Sequence, residues 1–280
     1  MRPTVRETDV TLPDGRVLHA YQAEGPADAT GVCWHHGTSN LGAPPEPLMD
    51  AAAEVGLRWF SLDRPGYGGS TPVAERTVGS VAANAAAVAD ALDIERFVAI
   101  GHSGGGPHAL ACAAVLADRV TAAAAISSPA PYDAAGLDWY AGMAPAGVGS
   151  NRAAARGRAA REAWEDEAGD ADFGFTEADE AALGGRWSWV LDVVRPAIAQ
   201  GPGGAIDDDL AAVSPWGFDP SHIGVPVLCV HGGADRVVPV GHGRWLAGRI
   251  PGAELWERPA DGHITVLDAS AAALTWLAAR

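Results

Sequence analysis

Arg96-Phe97-Val98-Ala99-Ile100-Gly101-His102-Ser103-Gly104-Gly105-Gly106-Pro107 decides the reading of this chain. An apolar run stops at a serine flanked by glycines, and an alanine-rich helical run, His108 to Ala117, follows. This is the layout of a strand–serine–helix turn that holds a side chain exposed above a sheet. Gly101 and Gly105 lie two residues either side of Ser103, where the chain must double back and a Cβ would collide. The helix that starts at the serine aims free N–H groups and its positive end at any negative charge developing there. Ser103 is therefore the candidate nucleophile.

Working outward, short apolar strands alternate with helical patterns, which predicts a mostly parallel sheet covered on both faces. Thr4–Thr11 and Val17–Ala23 read as an opening antiparallel pair around Pro13-Asp14-Gly15. Gly31–His36, Leu57–Leu62, Phe97–Ile100, Ala122–Ile126 and Val225–Val230 read as buried strands, and Glu254–Glu257 as a short last one. Helical periods fit Pro47–Val55, Val78–Leu92, Pro107–Leu116, Gly241–Arg249 and Val266–Ala279.

The rhythm breaks between about Pro129 and His222. This stretch carries Trp139, Trp164, Trp187, Trp189 and Trp216, which is half of the ten tryptophans. Its arginines Arg152, Arg156, Arg158 and Arg161 precede an acidic run, Glu162 to Glu180. Arg158 with Glu162 and Arg161 with Glu165 have the spacing of helix-surface pairs. The expectation is a helical insertion over 130–222 within a core formed by 1–129 and 223–280. Its aromatic residues, Trp139, Trp187 and Trp216 in particular, are candidates to line an apolar substrate cavity.

Composition prunes the chemistry. The 280 residues suffice for one large α/β domain with an insertion, and 48% are hydrophobic. A net charge of −16 argues against nucleic-acid or anionic-membrane surfaces as partners. All 19 of the Lys and Arg residues are arginine, so lysine Schiff bases and a P-loop lysine are excluded. Cys33, Cys112 and Cys229 have no paired spacing and lie in apolar stretches, which points to structural burial. The N-terminal stretch Met1–Asp14 is polar and unlike a signal peptide, and no apolar run reaches a membrane span. A cytoplasmic chain, monomeric or homodimeric, with a small-molecule substrate is the expectation.

A serine hydroxyl needs a base, and histidine has a suitable pKa. His263, in Pro259-Ala260-Asp261-Gly262-His263-Ile264, follows the last predicted strand and so shares a sheet edge with Ser103. His35 and His36 belong to another loop, His102 adjoins the nucleophile and should point away from it, and His108 lies in a helix. His19, His222, His231 and His242 have no partner pattern. Asp235 ends the strand before Gly232-Gly233-Ala234 and is the candidate to orient His263. Asp261 rivals it by proximity but is too close in sequence to reach round to the ring. The strand Ala122–Ile126 is followed by Ser127-Ser128-Pro129 and offers no carboxylate. Two N–H donors are needed for an oxyanion: Gly104, after the nucleophile, and Thr38 in His36-Gly37-Thr38-Ser39-Asn40. The adjacent His35 and His36 point to opposite faces and have no ligand cluster, so no metal site is expected.

With His36-Gly37-Thr38, Asp63-Arg64-Pro65-Gly66-Tyr67-Gly68-Gly69-Ser70, Gly101-His102-Ser103-Gly104-Gly105, and Asp235 with His263, the chain resembles the α/β-hydrolase superfamily, specifically its cap-bearing serine hydrolases. The resemblance covers nearly the whole chain outside the insertion. It implies an eight-stranded, mostly parallel sheet flanked by helices, a helical cap over 130–222, and no cofactor. The Asp63–Ser70 stretch is then a structural loop beside the site, anchored through Arg64. The implied activity is hydrolysis of a carboxylic ester or lactone of a small, fairly apolar substrate through an acyl-enzyme. Dehalogenases and epoxide hydrolases of this fold use an aspartate where Ser103 stands. Proline iminopeptidases usually carry His-Gly-Gly-Pro-Gly where this chain has His36-Gly37-Thr38-Ser39-Asn40. Carbon–carbon bond hydrolases, cofactor-free haloperoxidases and ligand receptors of the fold with negligible turnover stay compatible.

Overall fold

The computed structural model describes residues 4–26, 28–169 and 171–280. Met1–Pro3, which open the polar N-terminal stretch, and Asp170, inside the acidic run, lie outside the described residues. Eight strands form one sheet: β1 (Val5–Thr11), β2 (Val17–Ala23), β3 (Thr30–His35), β4 (Leu57–Leu62), β5 (Phe97–His102), β6 (Val120–Ile126), β7 (Val227–Gly232) and β8 (Glu254–Arg258). Their spatial order is β1-β2-β4-β3-β5-β6-β7-β8. β2 is antiparallel to β1 and β4, and every pairing from β4 to β8 is parallel. This is the expected fold, an α/β-hydrolase sheet with helices on both faces.

Side-chain alternation builds two cores, one on each face of the sheet. Cys33, Phe60, Phe97, Ala99, Val227 and Cys229 go to one. Val32, Trp34, Trp59, Val98, Ile100, Leu228 and Val230 go to the other. Period-two geometry with both faces covered explains why these strands are continuous apolar runs. β6 starts two residues before the expected Ala122 because of a register shift: Phe97 faces Val120 but Ala99 faces Ala123. The extra residue reverses the alternation, so Val120 and Ala123 share a face. The edges resist further pairing: β1 is largely exposed with Arg6, Glu7 and Asp9, and β8 is short and half-exposed.

Helices α1 (Met49–Glu54), α2 (Val81–Ala91), α3 (Gly106–Val115), α9 (Gly241–Arg249) and α10 (Ser270–Ala278) cover the sheet. Five more lie between β6 and β7: α4 (Pro145–Ala154), α5 (Arg158–Ala168), α6 (Glu177–Leu183), α7 (Trp189–Ala199) and α8 (Gly203–Val213). The spacing-based pairs form here, Arg158 to Glu162 at 3.5 Å and Arg161 to Glu165 at 2.6 Å. The three cysteines are free and buried. No helix among the described residues is long and apolar enough to cross a membrane.

The β5–α3 connection is sterically tight. Ser103 adopts φ +55°, a left-handed conformation unusual for a residue with a Cβ. A Cβ on Gly101 would overlap the Gly105 carbonyl, and one on Gly105 would overlap the His35 carbonyl. Gly101→Ala is therefore expected to destabilise the chain by about 1–3 kcal/mol or more through overpacking. Gly248→Ala, in α9 with open space around it, should be neutral or stabilising by up to ~1 kcal/mol. Urea unfolding of both variants checks the contrast.

Candidate active site

Three loops at the carboxyl edge of the sheet bring the candidate residues together. Ser103 directly follows β5, and a short 3₁₀ turn, Ser103–Gly105, runs into α3. Asp235 lies in the turn after β7, and His263 in the turn after β8. The last two turns are knitted by backbone bonds, Gly233 N–H to Arg258 O at 2.8 Å and Ala234 N–H to Asp261 O at 3.0 Å. That knitting sets Asp235 beside an imidazole 28 residues away, with His263 Nδ1 and Asp235 Oδ2 2.7 Å apart.

The protonation states follow from the partners. Asp235 Oδ1 accepts from Val237 N–H and Val238 N–H, both at 2.9 Å. Burial pushes this carboxyl up, but the His263 charge and hydrogen bond, His231 and the Val238 N–H outweigh it and hold it below the ordinary value. The carboxylate is ionised and can only accept, so Nδ1 of His263 carries a proton. In neutral His263, Nε2 then keeps its lone pair, as a base requires. Asp261, the nearer carboxylate in sequence, pairs with Arg258 at 2.8 Å instead. Among the described residues no hydrogen bond joins Ser103 to His263. The His102 ring reaches the histidine loop: it donates through Nε2 to the His263 carbonyl at 2.9 Å, with ring centroids 4.8 Å apart.

Thr38 and Gly104 are neighbours. A Cβ built on Gly104 would stand 3.1 Å from Thr38 N, and one on Gly37 3.6 Å from Ser103 Cβ. The aim of the Thr38 N–H is set by the carbonyl of its own peptide, because a trans peptide points the two in opposite directions. That Gly37 carbonyl accepts from His36 Nδ1–H at 2.8 Å and Arg64 Nη2 at 3.0 Å. His36 Nε2 accepts from Arg64 N–H at 3.0 Å, which assigns the Nδ1–H tautomer. Burial first, then Arg64, holds His36 well below its ordinary pKa, so it stays neutral. Arg64 also donates to the His36 carbonyl. On the far side of Thr38, Ser39 N–H donates to Tyr67 Oη at 3.1 Å.

Both ends of this loop lead to one carboxylate, Asp208 of α8. It accepts from Arg64 Nε at 3.0 Å and Nη2 at 2.6 Å, from Tyr67 Oη at 2.8 Å, and from Arg76. Arg64 and Asp208 expose only 1% and 3% of their side chains. Burial pushes the Asp208 carboxyl up, yet Arg64 and Arg76 pull it well below its ordinary value. Asp208 has no local motif. Three consecutive aspartates on a helix were the only available sign, and they fan out to Arg158, to Arg64 and Arg76, and to Arg161.

The three tryptophans grouped by sequence lie apart. Trp187 is in the core under one sheet face, with its N–H on Asp268 at 2.8 Å, and Trp216 is in the core under the other. Trp139 is buried, donates to Ala130 O at 3.0 Å and packs edge-on to His242. Of the three, only Trp216 lines a cleft of about 700 Å3, together with Phe218 and Trp245, and Ser103, Asp235 and His263 are not among that cleft's lining residues.

The fold and the strand–serine–helix turn together define an α/β-hydrolase. The family model for the alpha/beta hydrolase fold matches residues 32–270, and the chain belongs to that family. A non-heme chloroperoxidase of Streptomyces lividans is 30% identical over 237 residues, 82% of this chain and 83% of that one. A hydrolase structure from Pseudomonas aeruginosa PA01 superposes with a TM-score of 0.74 at 20% identity, covering 97% of this chain and 98% of that one. The enol-lactonase from Burkholderia xenovorans LB400 superposes with a TM-score of 0.72 at 21% identity, covering 98% of this chain and all of that one.

Seven histidines are buried among the described residues, and six of them are shifted down. Burial lowers His35 and His102 to about 3 and His242 to about 4, and lowers His36, His108 and His231 as well. Each takes up a proton on unfolding, so its contribution is present above the ordinary value of 6.5 and is lost as the pH falls from there toward the folded values. At about 1.4 kcal/mol per pH unit for each group, against a typical ~5–15 kcal/mol of total stability, cooperative acid unfolding is expected between about pH 6 and pH 4. Circular dichroism across a pH series, with proton uptake of more than one per molecule at the midpoint, checks it.

Proposed function

We propose that the protein is a serine hydrolase that cleaves a carboxylic ester or lactone of a small, fairly apolar substrate. The observation that carries this reading is the left-handed Ser103 at the strand–helix turn, on the same sheet edge as a His263 whose Nδ1 is bonded to the ionised Asp235. In the proposed cycle His263 Nε2 takes the Ser103 proton as Oγ attacks the carbonyl carbon. Asp235 holds the tautomer and stabilises the imidazolium. The Thr38 and Gly104 N–H groups hold the oxyanion, each worth about 3 kcal/mol. Collapse of the intermediate expels the alcohol, protonated by His263. Water, deprotonated by the same nitrogen, then attacks the acyl carbon and releases the acid. Residues 130–222 serve as the cap over this site, inserted in a core of 1–129 and 223–280.

Ser103→Ala is expected to lower turnover of short p-nitrophenyl esters or lactones by on the order of 10⁴ or more. It should also abolish labelling by a fluorophosphonate. Wild-type activity in this variant would sink the assignment.

The Streptomyces lividans relative favours a second reading, cofactor-free halide oxidation. Hydrogen peroxide in place of water on the same acyl-enzyme gives a peracid, whose terminal oxygen oxidises bromide as the acid is regenerated. Bromination of a β-diketone in acetate, peroxide and bromide tests it. If this route operates, the reaction should disappear in Ser103→Ala; bromination that survives the substitution rules the acyl-enzyme route out.

A further inference from the structure

We propose that Asp179, in the inserted helix α6, is a positioning residue that holds the backbone of His263 in register with Ser103. The inference rests on reading His263 as the base. Asp179 is fully buried and lies 84 residues before the histidine. Its Oδ2 accepts from His263 N–H at 3.1 Å and from Thr176 N–H at 3.1 Å. Its Oδ1 accepts from Ile264 N–H at 2.9 Å, Thr265 N–H at 2.9 Å and Thr265 Oγ1 at 3.0 Å. A carboxylate has about four lone-pair sites, so these five donors saturate it. Burial raises this carboxyl, but the N–H groups of Thr265, Thr176 and Ile264 outweigh that and keep it below its ordinary value. A Cβ on Gly262 would overlap the Asp179 carboxylate, so the residue before the histidine is one that lets the acid reach the backbone.

Capping of α6 does not account for this arrangement. Thr176 and Asp179 form a reciprocal capping box, with Asp179 N–H donating to Thr176 Oγ1 at 3.1 Å. That box needs one oxygen of Asp179. The other oxygen serves Ile264 and Thr265 alone. His263 is thereby tied at three points: its N–H to Asp179, its carbonyl to His102, and its Nδ1 to Asp235. Only Nε2 is left for proton transfer. The first tie comes from the insertion, so α6 and the proposed base move together. Misplacement of a reacting group by about 1 Å costs roughly 10²-fold in rate.

The test compares three variants with wild type on a p-nitrophenyl ester that wild type hydrolyses, alongside the rate of fluorophosphonate labelling. Asp179→Asn keeps the shape but turns an NH₂ toward N–H donors. It is expected to lower kcat and the labelling rate by roughly 10- to 100-fold with KM within about twofold. The downfield proton resonance of the His263–Asp235 hydrogen bond should broaden or vanish. Thr176→Ala, which removes the α6 cap and leaves the His263 loop bonded, should lower the melting temperature and keep kcat. Wild-type kcat in folded Asp179→Asn, or an equal loss in Thr176→Ala, overturns the inference. Should Asp179→Asn not fold, Thr265→Val removes the hydroxyl donor to Asp179, and with it the acceptor of Gly262 N–H in the same loop, without touching the α6 cap. A several-fold lower kcat then supports the proposal and an unchanged one overturns it. Ser103→Ala with full activity would overturn the hydrolase reading instead, so the two failures are distinguishable.

Discussion

The close approach of backbone at the β5–α3 turn is the constraint on which the rest depends. Ser103 has a left-handed conformation that its own Cβ disfavours. It is held there because β5 and α3 pack back onto β3, with Gly101 against the Gly105 carbonyl and Gly105 against the His35 carbonyl. The same squeeze brings Gly104 against Thr38. One steric fit thus sets Ser103 at the turn and brings the backbones of Gly104 and Thr38 together. Strain of this kind costs on the order of 1–3 kcal/mol and persists where the surrounding packing over-determines it. Here both sheet cores supply that packing.

Around this turn, buried aspartates act as fasteners between distant segments. Asp235 orients the imidazole, and Asp208 holds Arg64 and Tyr67, which together fix the loop on either side of Thr38. Asp208 belongs to the insertion, so the loop that carries Thr38 is tied to α8 through a buried charge pair. Burying charge is costly unless each lone pair is met. Asp208 and Asp235 satisfy that condition with several donors each, which is why both remain ionised at almost no exposure. Charge held in this way specifies position rather than adding much net stability.

Much of this was legible in the amino-acid order because it depends on near neighbours. Apolar runs bounded by turn residues marked the five central strands, β3 to β7, since a strand buried on both faces needs continuous hydrophobicity. The Arg158–Glu162 and Arg161–Glu165 pairs followed from helix spacing. The extra residue in β6 did not, because a bulge is a property of the pairing with β5 rather than of either strand. The role of Asp208 was hidden for a similar reason: its partners Arg64 and Arg76 lie 144 and 132 residues away, and a run of three aspartates looks like a solvated face until the arginines are in place. Trp187 and Trp216 look alike in sequence but fell on opposite sides of the sheet, which no local pattern encodes.

Order along the chain, then, was enough to locate the serine, its candidate partners Asp235 and His263, and the eight-stranded scaffold, because turn chemistry and hydrophobic period are short-range. Which acid meets the imidazole, which carbonyl Arg64 grips, and which buried carboxylate locks each loop were set by folding. Those contacts join segments tens to more than a hundred residues apart, and a buried charge finds its partner only when the packed chain has excluded water around both.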